Sequence, residues 1–281
     1  MALELTIGLP CYGNETEVWF TVQALRLYHD LTKTEILVID NKGENTLKKK
    51  ITMPGVRYVK FDTVNGPGPA KNKLFQEAKG DFVLCMDSHV FLWPDSIRQL
   101  KEWVRTNWDD AKNLIHGPMV LKNLTNAYTH YENKWRGGMW GIWPKPVLPS
   151  ILEPQNETIE IEMGPTGLFG CRKDSWLGFA ENLKGFGGIE GIIDKKYEKA
   201  GRKSLCLPFL LWVHYFGSLH AYPLVTRDKV RNFLLSFKEI NLDPAPIYEH
   251  FGQDYVAKVQ KDISNGMPKI RNKDSKQSHC L

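Results

Sequence analysis

The chain has 281 residues, 42% of them hydrophobic and 25% charged, with a formal net charge of +5. This is ordinary globular composition, enough for one large domain or two small ones, with no repeat or low-complexity linker. No apolar stretch reaches bilayer-spanning length, since "SLCLPFLLWVHYFG" is short and contains Pro208 and His214. The mild positive charge suits an anionic small molecule and permits nucleic acid without requiring it.

The first half alternates strand and helix patterns. "LELTIGLPCY" reads as a strand, and residues 15–29 as a helix with Glu15 and Glu17 in its first turn. "TEILVID" is a strand ending at Asp40, and "VRYVKFD" another ending at Asp62. The Gly/Pro-rich "GPGPAKNKLFQEAKG" feeds a helix, "DFVLCMD" is the next strand, and "PDSIRQLKEWVRTN" a helix with proline near its first turn. Strands alternating with helices predict a mainly parallel sheet covered on both faces. Ligands gather at the carboxyl ends of such strands, where Asp40, Asp62 and Asp87 stand beside a glycine-rich loop.

After about residue 110 the pattern is mixed. "LIHGPMVL" and "TGLFGC" read as strands, with the Trp- and Gly-rich "YENKWRGGMWGIWPKP" between them. That segment suits either an acceptor platform or flap, or an aromatic patch closing the core. Residues 222–281 are expected to be helical and to end in a basic tail.

Cys11, Cys85, Cys171, Cys206 and Cys280 lack C-x-x-C spacing, and the first four lie in or beside apolar runs. Reduced, mostly buried thiols and a cytoplasmic location are expected. Glu4 interrupts the apolar start, so no secretory signal is expected, and sequons at Asn14, Asn123 and Asn156 carry little meaning.

The chemistry concentrates in Asp87-Ser88-His89, directly after "FVLCM". Alternate residues at a strand end point the same way, so Asp87 and His89 can converge on one cation. A carboxylate with an imidazole suits Mn²⁺ better than Ca²⁺. The plainer alternative is that Asp87 closes a turn and His89 is a satisfied polar residue. His214, inside an apolar run, is either a core histidine or the third ligand.

"IGLPCYGNE", "VIDNKG" and "GPGPAKNKLFQEAKGDFVLCMDSH" together resemble the donor half of GT-A fold, family 2 nucleotide-sugar glycosyltransferases. Ala70-Lys71-Asn72 stands where that family has A-R-N, with Lys for Arg. "DSH" at 87–89, "TGLFGCRKDSW" at 166–176, "GFGGIEGIIDKKYEKAG" at 185–201 and His214 resemble the motif order of polypeptide N-acetylgalactosaminyltransferases. Glu190 comes one residue later than in that pattern, and Gly191 replaces its Asn.

The resemblance implies an α/β GT-A (Rossmann-like) fold with a mixed, mainly parallel sheet flanked by helices. It places a catalytic domain at 1–221, with a donor half of about 1–110 and an acceptor half of 111–221, before a C-terminal helical extension at 222–281. It implies a UDP-sugar donor and Mn²⁺ or Mg²⁺ held by Asp87, His89 and His214. Pro10, Tyr12, Asp40, Lys71, Asn72 and Ser88 would lie at the donor, with Gly167, Gly187 and Gly188 allowing close backbone approach. Glu190 would be the general base of an inverting enzyme or the grip on sugar hydroxyls in a retaining one, with Asp194 a substitute one turn along.

The acceptor is open among a glycan, a lipid-linked sugar, a protein and a hydroxylated DNA base. The last is suggested by the Lys48-Lys49-Lys50 run and the aromatic segment. A nucleotidyltransferase on the same type of fold is the alternative; it usually shows a Gly-rich, Arg/Lys-containing loop after the first strand, and the lack of a basic residue in "GLPCYGNE" argues against it. A non-catalytic nucleotide-sugar binding module is a further alternative, against which Asp87, His89, His214 and Glu190 together argue.

Overall fold

A computed structural model describes residues 3–44, 46–152, 157–215 and 222–265. The predicted end of the basic tail, with Cys280, and the sequon residue Asn156 lie outside the described residues.

The first half is built from β1 (Leu5–Cys11), α1 (Glu15–Tyr28), β2 (Thr34–Asp40), α2 (Thr46–Ile51), β3 (Val56–Lys60), α3 (Pro67–Glu77) and β4 (Phe82–Met86). β1 pairs in parallel with β2 and β4, and β2 with β3. Every residue of β1, β2 and β4 is buried, which explains their near-continuous apolar sequences. Helix α3 packs very closely on β1: a Cβ on Gly8 would lie 2.2 Å from a Leu74 methyl. The predicted third strand stops at Lys60, and Asp62 is exposed and paired with Lys60 at 2.9 Å. Asp62 therefore folds back onto the strand end instead of joining a ligand cluster.

The chain continues through β5 (Val90–Leu92), α4 (Ser96–Thr106), β6 (Leu114–His116), β7 (Met119–Val120), β8 (Ala127–Tyr128), β9 (Glu132–Arg136) and β10 (Met139–Ile142). Then come α5 (Pro149–Leu152), β11 (Ile159–Ile161), β12 (Leu168–Arg172), α6 (Ile192–Lys199), β13 (Ser204–Cys206) and β14 (Trp212–His214). The main sheet has the order β11-β13-β6-β12-β4-β1-β2-β3. β12 runs antiparallel to β4 and β6, so the sheet is mixed. One core forms under α1 and α4, around Val22, Ile97 and Leu100, and a second under α3 and α6, around Leu74, Phe75 and Tyr197.

"LIHGPMVL" forms two strands in different sheets rather than one. Pro118 offers no N–H for a ladder. Gly117 lets the Leu210 backbone approach: a Cβ there would lie 1.9 Å from the Leu210 carbonyl oxygen. The resulting second sheet has the order β5-β14-β7-β8.

β9 and β10 form a hairpin turning at Gly137-Gly138, whose φ angles of +58° and +78° favour glycine. Trp135 and Trp140 pack with Phe233 and Phe237 of α7 (Thr226–Glu239), so most of this aromatic segment closes a third core. The remaining helices, α8 (Ala245–Phe251) and α9 (Gln253–Ser264), complete that core through Ile247, Val256 and Val259.

Cys11, Cys85, Cys171 and Cys206 are buried free thiols. Burial pushes Cys85 and Cys171 up to about 12 and raises Cys11 and Cys206 as well. These four are expected to resist iodoacetamide in the native protein at pH 8 and to react on unfolding. Peptide mass mapping of alkylation checks this, and rapid native labelling at any of the four contradicts it.

Candidate active site

β4 delivers Asp87 to its carboxyl end, where the Asp87 N–H donates to the Gly167 carbonyl at 2.8 Å. A tight turn follows, with the Val90 N–H donating to the Asp87 carbonyl at 3.1 Å. β5 then starts beside β14, which places His214 opposite Val90 and lets the Tyr215 N–H donate to the His89 carbonyl at 3.1 Å. This pairing brings together side chains 125 residues apart in sequence. His89 Nε2 lies 3.1 Å from His214 Nε2, and His214 Nε2 lies 3.9 Å from Asp87 Oδ2. One ligand atom from each of Asp87, His89 and His214 lies within 4.8 Å of the others.

Lys71, buried in α3, aims its ammonium at this cluster. Its Nζ donates to the Thr166 carbonyl at 2.5 Å and sits 3.2 Å from Asp87 Oδ1. Burial alone would raise the Asp87 carboxyl, but Lys71 and the two imidazoles outweigh it and hold the group well below the usual carboxylate range. Burial lowers His89 against the opposing pull of Asp87, which favours the neutral imidazole. An ionised carboxylate and a neutral imidazole are the ligating forms of both groups.

These residues line a pocket of about 430 Å³. Pro10, Tyr12, Ser88, Gly167 and Glu190 contribute to its wall alongside the Asp–His–His cluster and Lys71. Gly167 is small for a reason: a Cβ there would lie 2.9 Å from the Trp212 ring and 3.5 Å from Asp87 Oδ2. Asn14 donates to the Ser88 hydroxyl through Nδ2 and accepts the Tyr12 N–H through Oδ1 at 3.1 Å, tying the β1 loop to the 87–89 turn.

Glu190 precedes α6 and bends back on its own loop. Its Oε2 accepts the N–H groups of Gly188 and Ile189, each at 3.1 Å. Its Oε1 accepts no hydrogen bond among the described residues.

Other expected site residues stand elsewhere. Asp40 is buried beside the pocket: Oδ1 accepts the Lys42 and Gly43 N–H groups at 3.0 and 2.8 Å, and Oδ2 accepts the Tyr58 hydroxyl at 2.7 Å. Asn72 instead braces the loop at Phe179, donating to its carbonyl at 2.9 Å and accepting its N–H at 2.8 Å. Gly187 and Gly188 lie against α7, not on the pocket wall.

Asp194 is also turned away from the pocket. Its carboxylate is fully buried, 3.0 Å from His116 Nε2, and accepts the Ser204 hydroxyl at 2.8 Å and the Gly164 N–H at 3.1 Å. The spacing that set it one turn from Glu190 rotates it inward, so it cannot substitute for Glu190 without unpacking this network. Asp194→Ala strands a buried imidazole and is expected to cost ~3 kcal/mol of stability, measured by urea denaturation.

Some pocket residues carried no recognisable sequence signal. Tyr222 stacks on Tyr12, with ring centroids 4.3 Å apart, and its hydroxyl donates to Asn41 Oδ1 at 2.8 Å. Tyr131 and Trp143 add aromatic wall, their centroids 4.3 Å apart. Only the richness of "YENKWRGGMWGIWPKP" in aromatics hinted at the latter pair.

A mixed α/β sheet of this topology, with an acid–imidazole cluster at the carboxyl end of its central parallel strands, defines the GT-A class. The match to the glycosyl transferase family 2 model covers residues 6–174, and the chain belongs to that family. No curated protein matches the chain.

Among solved structures it is similar to GalNAc-T7 with UDP, GalNAc and Mn²⁺, at 16% identity and a TM-score of 0.63. That match covers 95% of this chain and 58% of the other, so the chain spans less than two thirds of its length. The mannosyltransferase PcManGT from Pyrobaculum calidifontis, in complex with GDP-Man and Mn²⁺, matches at 12% identity and TM-score 0.55, covering 96% of this chain and 77% of that one. S. aureus TarS 1-349 in complex with UDP-GlcNAc matches at 15% identity and TM-score 0.55, with 94% and 74% covered. At these identities the likeness shows the fold. Among the described residues no helix is long and apolar enough to cross a membrane.

Proposed function

We propose that the protein transfers a sugar from a nucleoside diphosphate sugar, UDP-linked by preference, to an acceptor hydroxyl with the help of a divalent ion. The observation that carries this reading is the convergence of Asp87, His89 and His214 on the wall of a pocket of about 430 Å³. Their chemistry fits the ion: one ionised carboxylate and two imidazoles suit Mn²⁺, and Mg²⁺ less well. When bound, the ion supplies Lewis-acid neutralisation of the departing diphosphate.

The chain's own residues do the rest. Lys71 keeps Asp87 ionised and adds positive charge on the donor side of the pocket. Asn14 and Ser88 hold the turn between the first strand and the metal cluster. Tyr12 offers a flat face to the nucleobase, and Trp143 and Tyr131 offer one to a ring-bearing acceptor, a sugar or a hydroxylated base.

Glu190 acts as the general base. One oxygen is fixed by two backbone N–H groups, and the other is available to the acceptor hydroxyl. This arrangement favours the inverting role over a grip on sugar hydroxyls.

Calorimetry with UDP-glucose, UDP-GlcNAc, UDP-GalNAc and GDP-mannose, with and without Mn²⁺, tests the reading. A UDP-sugar is expected to bind only with the ion present. Equal binding of every nucleotide sugar in EDTA contradicts it.

A further inference from the structure

Glu190 closes a glycine-rich turn whose shape is set by helix α7. Asn232 of α7, 1% exposed, lays its side-chain amide against that turn. Its Nδ2 donates to the carbonyls of Lys184 at 2.9 Å and Gly187 at 2.8 Å. Its Oδ1 accepts the Lys184 N–H at 3.2 Å and Arg231 Nη1 at 3.3 Å. Both donors and both acceptor positions of the amide are thereby used.

The Gly187 carbonyl and the Gly188 N–H belong to one planar peptide group. That N–H donates to Glu190 Oε2 at 3.1 Å. A continuous path thus runs from Asn232 Nδ2, through the Gly187–Gly188 peptide, to the Glu190 carboxylate. Donation into the carbonyl end fixes the peptide plane and strengthens its N–H as a donor.

The glycines are required by the same helix. A Cβ on Gly188 would lie 2.4 Å from the Lys229 carbonyl oxygen and 2.8 Å from Asn232 Cβ, at a φ of +74°. On the far side of the turn, the Gly185 N–H donates to the Asn65 carbonyl at 2.6 Å. The turn is therefore gripped between α7 and the loop that leads into α3.

We propose that Asn232 is a positioning residue for Glu190, aiming its carboxylate through the Gly187–Gly188 peptide. The proposal rests on the reading of Glu190 as the base. It makes α7 part of the catalytic apparatus rather than an appendage.

The test uses the full chain with Asn232→Ala, Glu190→Gln and the double variant, and Asn232→Ser should alanine impair folding. Amide exchange at Gly188 and Ile189 is followed by NMR, and Mn²⁺-dependent hydrolysis is followed with UDP-glucose and UDP-GlcNAc. In Asn232→Ala, exchange at Gly188 is expected to rise at least about tenfold as the turn loosens. kcat is expected to fall about tenfold with the donor KM within about twofold, and Asn232→Ala should add little in the Glu190→Gln background.

Unchanged Gly188 exchange, or an equal fall in kcat with and without the Glu190 carboxylate, overturns the proposal. Full turnover in Glu190→Gln alone strikes the base reading instead. The two failures are told apart because exchange in Asn232→Ala reads the clamp without turnover.

Discussion

Asp87→Ala is expected to abolish Mn²⁺-dependent turnover of a UDP-sugar, with a loss of at least about 10³-fold. The carboxylate is the only anionic member of the Asp–His–His cluster. Removing it leaves two imidazoles to hold a dication beside the Lys71 ammonium, which then repels the ion instead of neutralising an acid. Losing the ion forfeits several kcal/mol of stabilisation of the departing diphosphate, enough for the expected fall. Initial rates of UDP release, with a thermal melt on the same sample, separate this from unfolding. A variant that folds, keeps Mn²⁺ and turns over within tenfold of the parent contradicts the expectation.

Glu190→Gln is expected to lower kcat by about 10²–10⁴-fold while leaving donor and Mn²⁺ binding near parental values. Glutamine keeps the shape and an oxygen that can accept the Gly188 and Ile189 N–H groups, so the loop should persist. What it lacks is the capacity to take a proton from the acceptor. A loss confined to KM would instead mark Glu190 as a residue that grips the sugar. The anomeric configuration of the product, read by NMR, decides between those roles independently.

Much of the first half is legible because its central strands are buried on both faces and read as continuous apolar runs. The alternation of β1, α1, β2 and the strand ending at Met86 needs no long-range information. Asp87 and His89 are legible as a pair because they follow such a run two positions apart, although a tight turn rather than strand alternation brings them together. His214 is different. Its place depends on β14 pairing with β5, and nothing local in "LLWVHYFG" distinguishes a ligand from a core histidine. The resemblance supplied that partner, and the structure sets its ring 3.1 Å from His89.

The readings that moved did so through packing. Gly187 and Gly188 read as room for a sugar, whereas α7 occupies the space beside them. Asp194 read as a reserve carboxylate, but α6 rotates it onto His116. Asp40 read as a residue at the donor, yet its oxygens accept from Tyr58 and from its own turn. The aromatic run read two ways and divides accordingly, with Trp135 and Trp140 in the core and Trp143 on the pocket wall. Tyr222 gave no signal, because its stacking on Tyr12 joins two residues far apart in the sequence.

The ion site can be read most directly by electron paramagnetic resonance of Mn²⁺ titrated into the protein with UDP present. One tightly held ion per chain is expected, with affinity falling at least about tenfold in His214→Ala and in His89→Ala. Undiminished Mn²⁺ binding in both histidine variants would contradict the account.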